Sequence, residues 1–237
     1  IQQRNRRETM DVLLELKQLA DDNYRVFNSR IIPTRQVMLG VRVPALREIT
    51  RKIAKEDPLD FIRLDKGNIF ELILLEGMVL SNMDQPFMDL LPYTGKFLDK
   101  VDNWAQIDTT VCDFKRIAEE KDEVITVVQK WLASEKEFVV RAGLVILLAH
   151  YIAEENLQMI FELSQGVSHT GYYVHMGNAW LISACMAKYP EETIEFFKSN
   201  TLDAKTHNKA IQKSRESHRV SKEHKTILKK LKKSSGR

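Results

Sequence analysis

The chain has 237 residues, 43% hydrophobic and 29% charged, with a net charge of +3; this is enough apolar material for a sizeable core in one large domain or one repeat array. Only 9 Gly and 6 Pro occur, which disfavours sheet-rich and loop-rich folds. The longest uncharged apolar run, within residues 142–149, falls far short of the ~18 residues of a membrane span, and the opening "IQQRNRRETM" has no apolar stretch behind its charges, so a soluble, cytoplasmic protein is expected.

Helical periodicity runs from one end of the chain to the other. "TMDVLLELKQLAD" opens the series and a less regular part, "NYRVFNSRIIPTRQVMLGVRVP", follows it. Pro44 sits in the first turn of "PALREITRKIAKE", and Asp57 before Pro58 caps a short helix. Asn68 with Glu71, before "IFELILLEGMVLSNM", and Ser134 with Glu137, before "FVVRAGLVILLAHYI", have the spacing of capping boxes. Further helical stretches are "DQPFMDLL", "NWAQIDTTVCDF", "DEVITVVQKWLAS", "NLQMIFELSQG", "YYVHMGNAWLISACMAKY", "PEETIEFFKS", "AKTHNKAIQKSRES" and "SKEHKTILKKLKK". The count comes to about a dozen helices, with no convincing alternating strand. Cys112 and Cys185 lie singly on apolar helical stretches and read as reduced packing residues.

Apolar helices alternate with charged amphipathic ones, and the connections are short. The pattern predicts an all-α fold, an α-α superhelix of HEAT/ARM-like repeats, with a compact helical bundle as the alternative. One domain over residues 1–228, followed by a basic tail at 229–237, is expected. A solenoid presents a concave surface lined by successive helices, suited to a long ligand. Residues 205–237 carry 12 Lys/Arg against Glu216 and Glu223, net +10, which leaves net −7 on residues 1–204. A basic end on an acidic body points to a localised contact with a polyanion, or else to a solubilising tail.

In "DNWAQIDTT", Asp102 or Asn103 can cap a helix, and Trp104 and Asp108 then lie one turn apart on a single face, an indole beside a carboxylate. Arg141 stands in an otherwise apolar helix, where a guanidinium is costly unless it meets an acid or a water-filled groove. Asp108, Glu137 and Glu155 are its candidate partners. Trp180 has Tyr173, Met176, Gly177 and Ala184 at helical spacing around it, and the small ones among them allow close approach or simply packing. Trp131 reads as packing. Phosphate-binding glycine loops, GxSxG and HExxH are absent, and His150, His169 and His175 are not spaced as metal ligands; no metal and no cofactor is expected.

The segments "LGVRVPALREI" (39–49), "DNWAQID" (102–108), "FVVRAGLVILL" (138–148), "GNAWLI" (177–182) and "HRVSKEHKTILKKLK" (218–232), taken in order, resemble the DNA alkylation repair glycosylases built of HEAT-like repeats. The resemblance covers nearly the whole chain. It implies an enzyme that holds double-stranded DNA carrying alkylated bases in a basic concave face and hydrolyses the N-glycosyl bond of purines alkylated at N3 or N7. By the same resemblance Asp108 is the catalytic carboxylate, Trp104 and Trp180 flank the DNA backbone at the lesion, and Arg141 binds a phosphate and holds Asp108. Lys213, Arg215, Arg219 and Lys222 would meet further phosphates, and the protein would act as a monomer. The chain departs from the family around the second Trp, reading "HMGNAWLISAC" where a pattern like KxxGWxLR is common. It also leaves open whether Tyr24 or Phe27 supplies an N-terminal aromatic. A catalytically silent DNA-binding protein and a protein-interaction scaffold are the alternative readings.

Overall fold

The structure, a computed structural model, describes residues 11–234. Among these residues it is all-helical, and its one extended pairing is an isolated parallel bridge between Val37 and Ile69. The chain divides into two compact units, Ile1–Val124 and Ile125–Arg237. No helix among the described residues is long and apolar enough to cross a membrane.

The first unit holds α1 (residues 11–18), α2 (Asp22–Ile31), α3 (Val43–Lys55), α4 (Pro58–Arg63), α5 (Phe70–Asn82), α6 (Phe87–Leu98), α7 (Trp104–Val111) and the start of α8 (Lys121–Leu132). Helix α5 is its axis: every residue from Phe70 to Ser81 is buried, and α3, α4, α6 and α7 pack around it. Apart from Glu71, Glu76 and Ser81, its buried residues carry no polar side chain because the helix is covered on every side. Gly77 marks the tightest approach, since a Cβ there would come within 2.0 Å of Thr110 Oγ1 and 2.7 Å of the Phe97 ring. Only a residue without a side chain lets α5 lie this close to α6 and α7.

The second unit continues with α9 (Glu137–Ile146), which runs on through a π-helical turn at Leu147–Tyr151, then α10 (Leu157–Gly166), α11 (Tyr172–Lys188), α12 (Pro190–Ser199), α13 (Ala204–Glu216) and α14 (Lys222–Lys230). Helix α11 is the axis here and packs against α9, α10, α12 and α13. Helices buried along much of their length, α5, α9 and α11, are flanked by amphipathic ones, consistent with the α-α superhelix that the periodicity predicts. Beyond α14, Lys233 Nζ donates to the carbonyls of Asn200 and Leu202, and Asn208 exchanges hydrogen bonds with the Lys233 backbone.

Local capping explains several boundaries. Asp21, Asp57, Asn103, Asp203 and Ser221 each accept a backbone N–H from the first turn of α2, α4, α7, α13 and α14. The expected capping boxes at Asn68/Glu71 and Ser134/Glu137 do not form. The N-cap positions are Ile69 and Lys136, without a side-chain cap, because Glu71 and Glu137 reach segments distant in sequence instead.

Candidate functional site

Helix α7 presents two faces of different character. Gln106, Ile107, Thr110 and Val111 are buried, whereas Trp104 and Asp108, one turn apart, remain partly exposed. Asp108 is therefore partly exposed, one helical turn from Trp104, on a helix that packs against α5.

Several tethers hold this helix start in place. Asn103 Oδ1 caps it by accepting from Gln106 N at 3.1 Å. Trp104 Nε1 donates to the carbonyl of Ile31 at the end of α2, 3.1 Å away, which fixes the indole against the N-terminal helix. Asp102, the other candidate cap, serves a different purpose: it accepts from Thr34 Oγ1 at 2.6 Å and from Arg35 N at 2.8 Å. Beneath it the buried amides of Gln36 and Gln106 pair with each other, Gln106 Nε2 to Gln36 Oε1 at 2.6 Å and Gln36 Nε2 to Gln106 Oε1 at 3.3 Å. Gln36 also donates to the Lys100 carbonyl and Gln106 to that of Phe70. Buried amides satisfied in this way rigidify the segment they join.

The "LGVRVP" segment is held by one buried acid. Glu71, 1% exposed, accepts from the N–H groups of Leu39, Gly40 and Val41 at 2.7–3.3 Å. Gly40 adopts φ +91, and a Cβ there would stand 2.5 Å from the Asp21 carbonyl oxygen, so the turn requires glycine. Gln36 and Gln106 do not stand out in the sequence; Glu71 is marked by its capping-box spacing and, with Glu76, as an acid inside an otherwise apolar helix.

Of the two N-terminal aromatics, Tyr24 lies beneath the Arg42 guanidinium, 4.6 Å from ring to cation, and is partly buried. Phe27 is 58% exposed. It sits one turn before Ile31, the residue whose carbonyl holds Trp104.

In the second unit Arg141 is buried, with 5% exposure. Its Nη1 donates to the carbonyl of Tyr173 at 2.8 Å, while Glu137, one turn earlier on α9, accepts from the N–H of the same residue at 2.6 Å. Helix α9 thus grips the first turn of α11 by both polar groups of one residue. Gly177 lies over the guanidinium: a Cβ there would be 3.3 Å from Arg141 Nη1. Trp180 follows on the same stripe of α11 and is partly exposed, so the structure brings Arg141 to the helix face that carries this indole. Glu155 is exposed in a short 3-10 turn.

The four basic residues surround the turn between α13 and α14. Lys213 and Arg215 close α13, Arg219 lies in the loop and Lys222 begins α14; Arg219 and Lys222 are exposed and the other two partly so. His175 joins α11 to α13, with Nδ1 2.6 Å from Thr206 Oγ1 and 3.6 Å from Asp203.

Among known protein families, the model of the one described as "DNA alkylation repair enzyme" matches residues 12–220. No curated protein matches the chain.

Proposed function

Because the chain belongs to the DNA alkylation repair enzyme family, we propose that it is a DNA glycosylase that removes purines alkylated at N3 or N7 from double-stranded DNA. Alkylation there leaves the purine positively charged, so the base can depart without protonation by an acid. What remains is to stabilise the cationic, oxocarbenium-like sugar and to direct a water to its C1′. The water oxygen bonds to C1′ as the N-glycosyl bond breaks, its proton goes to solvent, and the electron pair leaves with the base.

In this reading Asp108 is the catalytic carboxylate. A fixed negative charge near developing positive charge lowers the barrier most where water is partly excluded. Trp104 and Trp180 lie against the sugar-phosphate backbone at the lesion and favour the cation through their ring faces. Arg141 takes a phosphate, as do Lys213, Arg215, Arg219 and Lys222. The chemistry asks for no metal or organic cofactor. Phe27 is the N-terminal aromatic open to approach.

The observation that carries the reading is the partial exposure of Asp108 beside Trp104 on a helix whose other face is buried. The test is release of free base from a duplex methylated at purine N3 and N7. Asp108→Asn should lower the single-turnover rate by about 10²–10³, the usual loss of one preorganised electrostatic stabiliser, and leave DNA affinity nearly unchanged. Equal release by wild type and variant removes Asp108 from the mechanism. A catalytically silent DNA-binding protein is the second reading. It is favoured by the stretch around Trp180, "HMGNAWLISAC", which carries no lysine or arginine to strengthen the phosphate clamp. Wild-type protein that binds the duplex but releases no base above the uncatalysed rate would establish it.

A further inference from the structure

A cavity of about 400 Å³ opens within the first unit between α4, α5 and α6, a volume in the range of small-molecule sites. It shares no lining residue with Trp104 or Asp108. Its floor is Glu76, 1% exposed. Both carboxylate oxygens accept from Lys100 Nζ at 2.7 Å, and the fully buried Lys66 ammonium stands 3.8 Å away. Lys66 in turn donates to the carbonyls of Phe61, Ile62 and Leu64. The Glu76 charge is therefore met from within the protein, and a cationic ligand would find no open carboxylate on the floor.

What faces the cavity from its rim is mainly positive. Arg63 sits beside the Tyr93 hydroxyl and pairs only loosely with Asp60, 3.5 Å away at an exposed position. Lys96 is exposed and makes no ion pair among the described residues. Asp99, the one acid on the rim, is itself exposed and already engaged by another group. The walls between floor and rim are the apolar side chains of Ile62 and Leu64 with the ring of Tyr93. Two cations and a phenol match the oxygens of a phosphate monoester, and an apolar wall ending in an aromatic ring matches a flat heterocycle.

We propose that this cavity is a binding site for a small organic anion carried on a flat ring, of the chemical class of a nucleoside monophosphate. The ring lies between Leu64 and Tyr93, and the phosphate lies between Arg63 and Lys96. The site is independent of the excision chemistry, so its test stands whether or not Asp108 is catalytic.

The test is a ¹⁵N NMR titration of the full chain at low salt with adenosine monophosphate, adenosine and inorganic phosphate as separate probes. Adenosine monophosphate should give saturable shifts confined to residues around 62–64 and 93–100. Adenosine and inorganic phosphate should each bind at least tenfold more weakly. Lys96→Glu, at an exposed position whose effect on folding is checked by circular dichroism, should weaken the monophosphate at least tenfold, and Tyr93→Leu should weaken it also. The proposal is overturned if the monophosphate causes no saturable shift there, if inorganic phosphate binds as well as the nucleotide, or if Lys96→Glu binds it unchanged.

Discussion

Glu71 and Glu76 are two carboxylates on one apolar helix, each 1% exposed, and each is satisfied by a different chemistry. Glu71 collects three backbone N–H groups of a turn, whereas Glu76 is bracketed by two ammonium groups. A buried charge is tolerated only when it is met in one of these ways. The residue left under most strain by the arrangement is Lys66: burial pushes its pKa down from 10.5 to about 8, although Glu76 opposes the shift. Between those two values the unfolded chain binds more protons than the folded one, so stability rises with pH as the native ammonium is discharged above about 8. Urea unfolding of wild type and Lys66→Met at pH 7 and at pH 10 checks the sign. Wild type should gain on the variant at the higher pH, and a difference that stays flat would mean that burial does not strain this ammonium.

At the scale of elements, the contact between α9 and α11 is made specific by Glu137 and Arg141 closing on Tyr173. The Phe138 and Tyr173 rings, 5.4 Å apart, add an apolar contact beside the polar one. The first N–H groups of a helix have no partner within it, and Glu137 supplies one for α11 in the way a cap would, from a different helix. Removing that acceptor should let the first turn of α11 open locally. For Glu137→Ala, amide hydrogen exchange at Tyr173 and its neighbours should quicken about tenfold, the loss of one charge-assisted hydrogen bond. Exchange within α13 should not change. If the first turn of α11 keeps its protection, the anchor lies elsewhere, in the packing of Tyr173 or of Gly177 on Arg141. The same pair of contacts separates what spacing reveals from what it hides. Asp57 and Asn103 act as the caps their positions imply because the N–H groups they accept from lie three residues away. Asn68/Glu71 and Ser134/Glu137 have equally good spacing, yet both carboxylates bond to backbone some thirty or more residues distant, and a local pattern carries no trace of such a partner.

At the scale of the molecule, the all-helical class of the described residues and the positions of Trp104 and Asp108 on one partly exposed face follow from the 3.6-residue period. The tethers that orient this face do not, since Ile31, Thr34 and Gln36 belong to the least regular stretch of the sequence and act through a backbone carbonyl, a hydroxyl and a side-chain amide whose partners lie about seventy residues away. Arg141 shows a contact of the same kind: its Nη1 donates to the Tyr173 carbonyl of α11, a main-chain partner that no side-chain pattern marks. The charge asymmetry between the last 33 residues and the rest has a thermodynamic expression if the partner is DNA. Each phosphate contact releases a condensed counterion, so Arg219→Gln should reduce the slope of log K against log salt by about 1. Fluorescence anisotropy with a duplex at several salt concentrations measures it, and an unchanged slope would place Arg219 outside the contact. The grip of Glu137 and Arg141 on Tyr173, like that of Glu71 on Leu39, Gly40 and Val41, closes on main-chain atoms. The burden of identity therefore falls on the side chains that reach out, while positions 39, 41 and 173 can drift without the grip noticing.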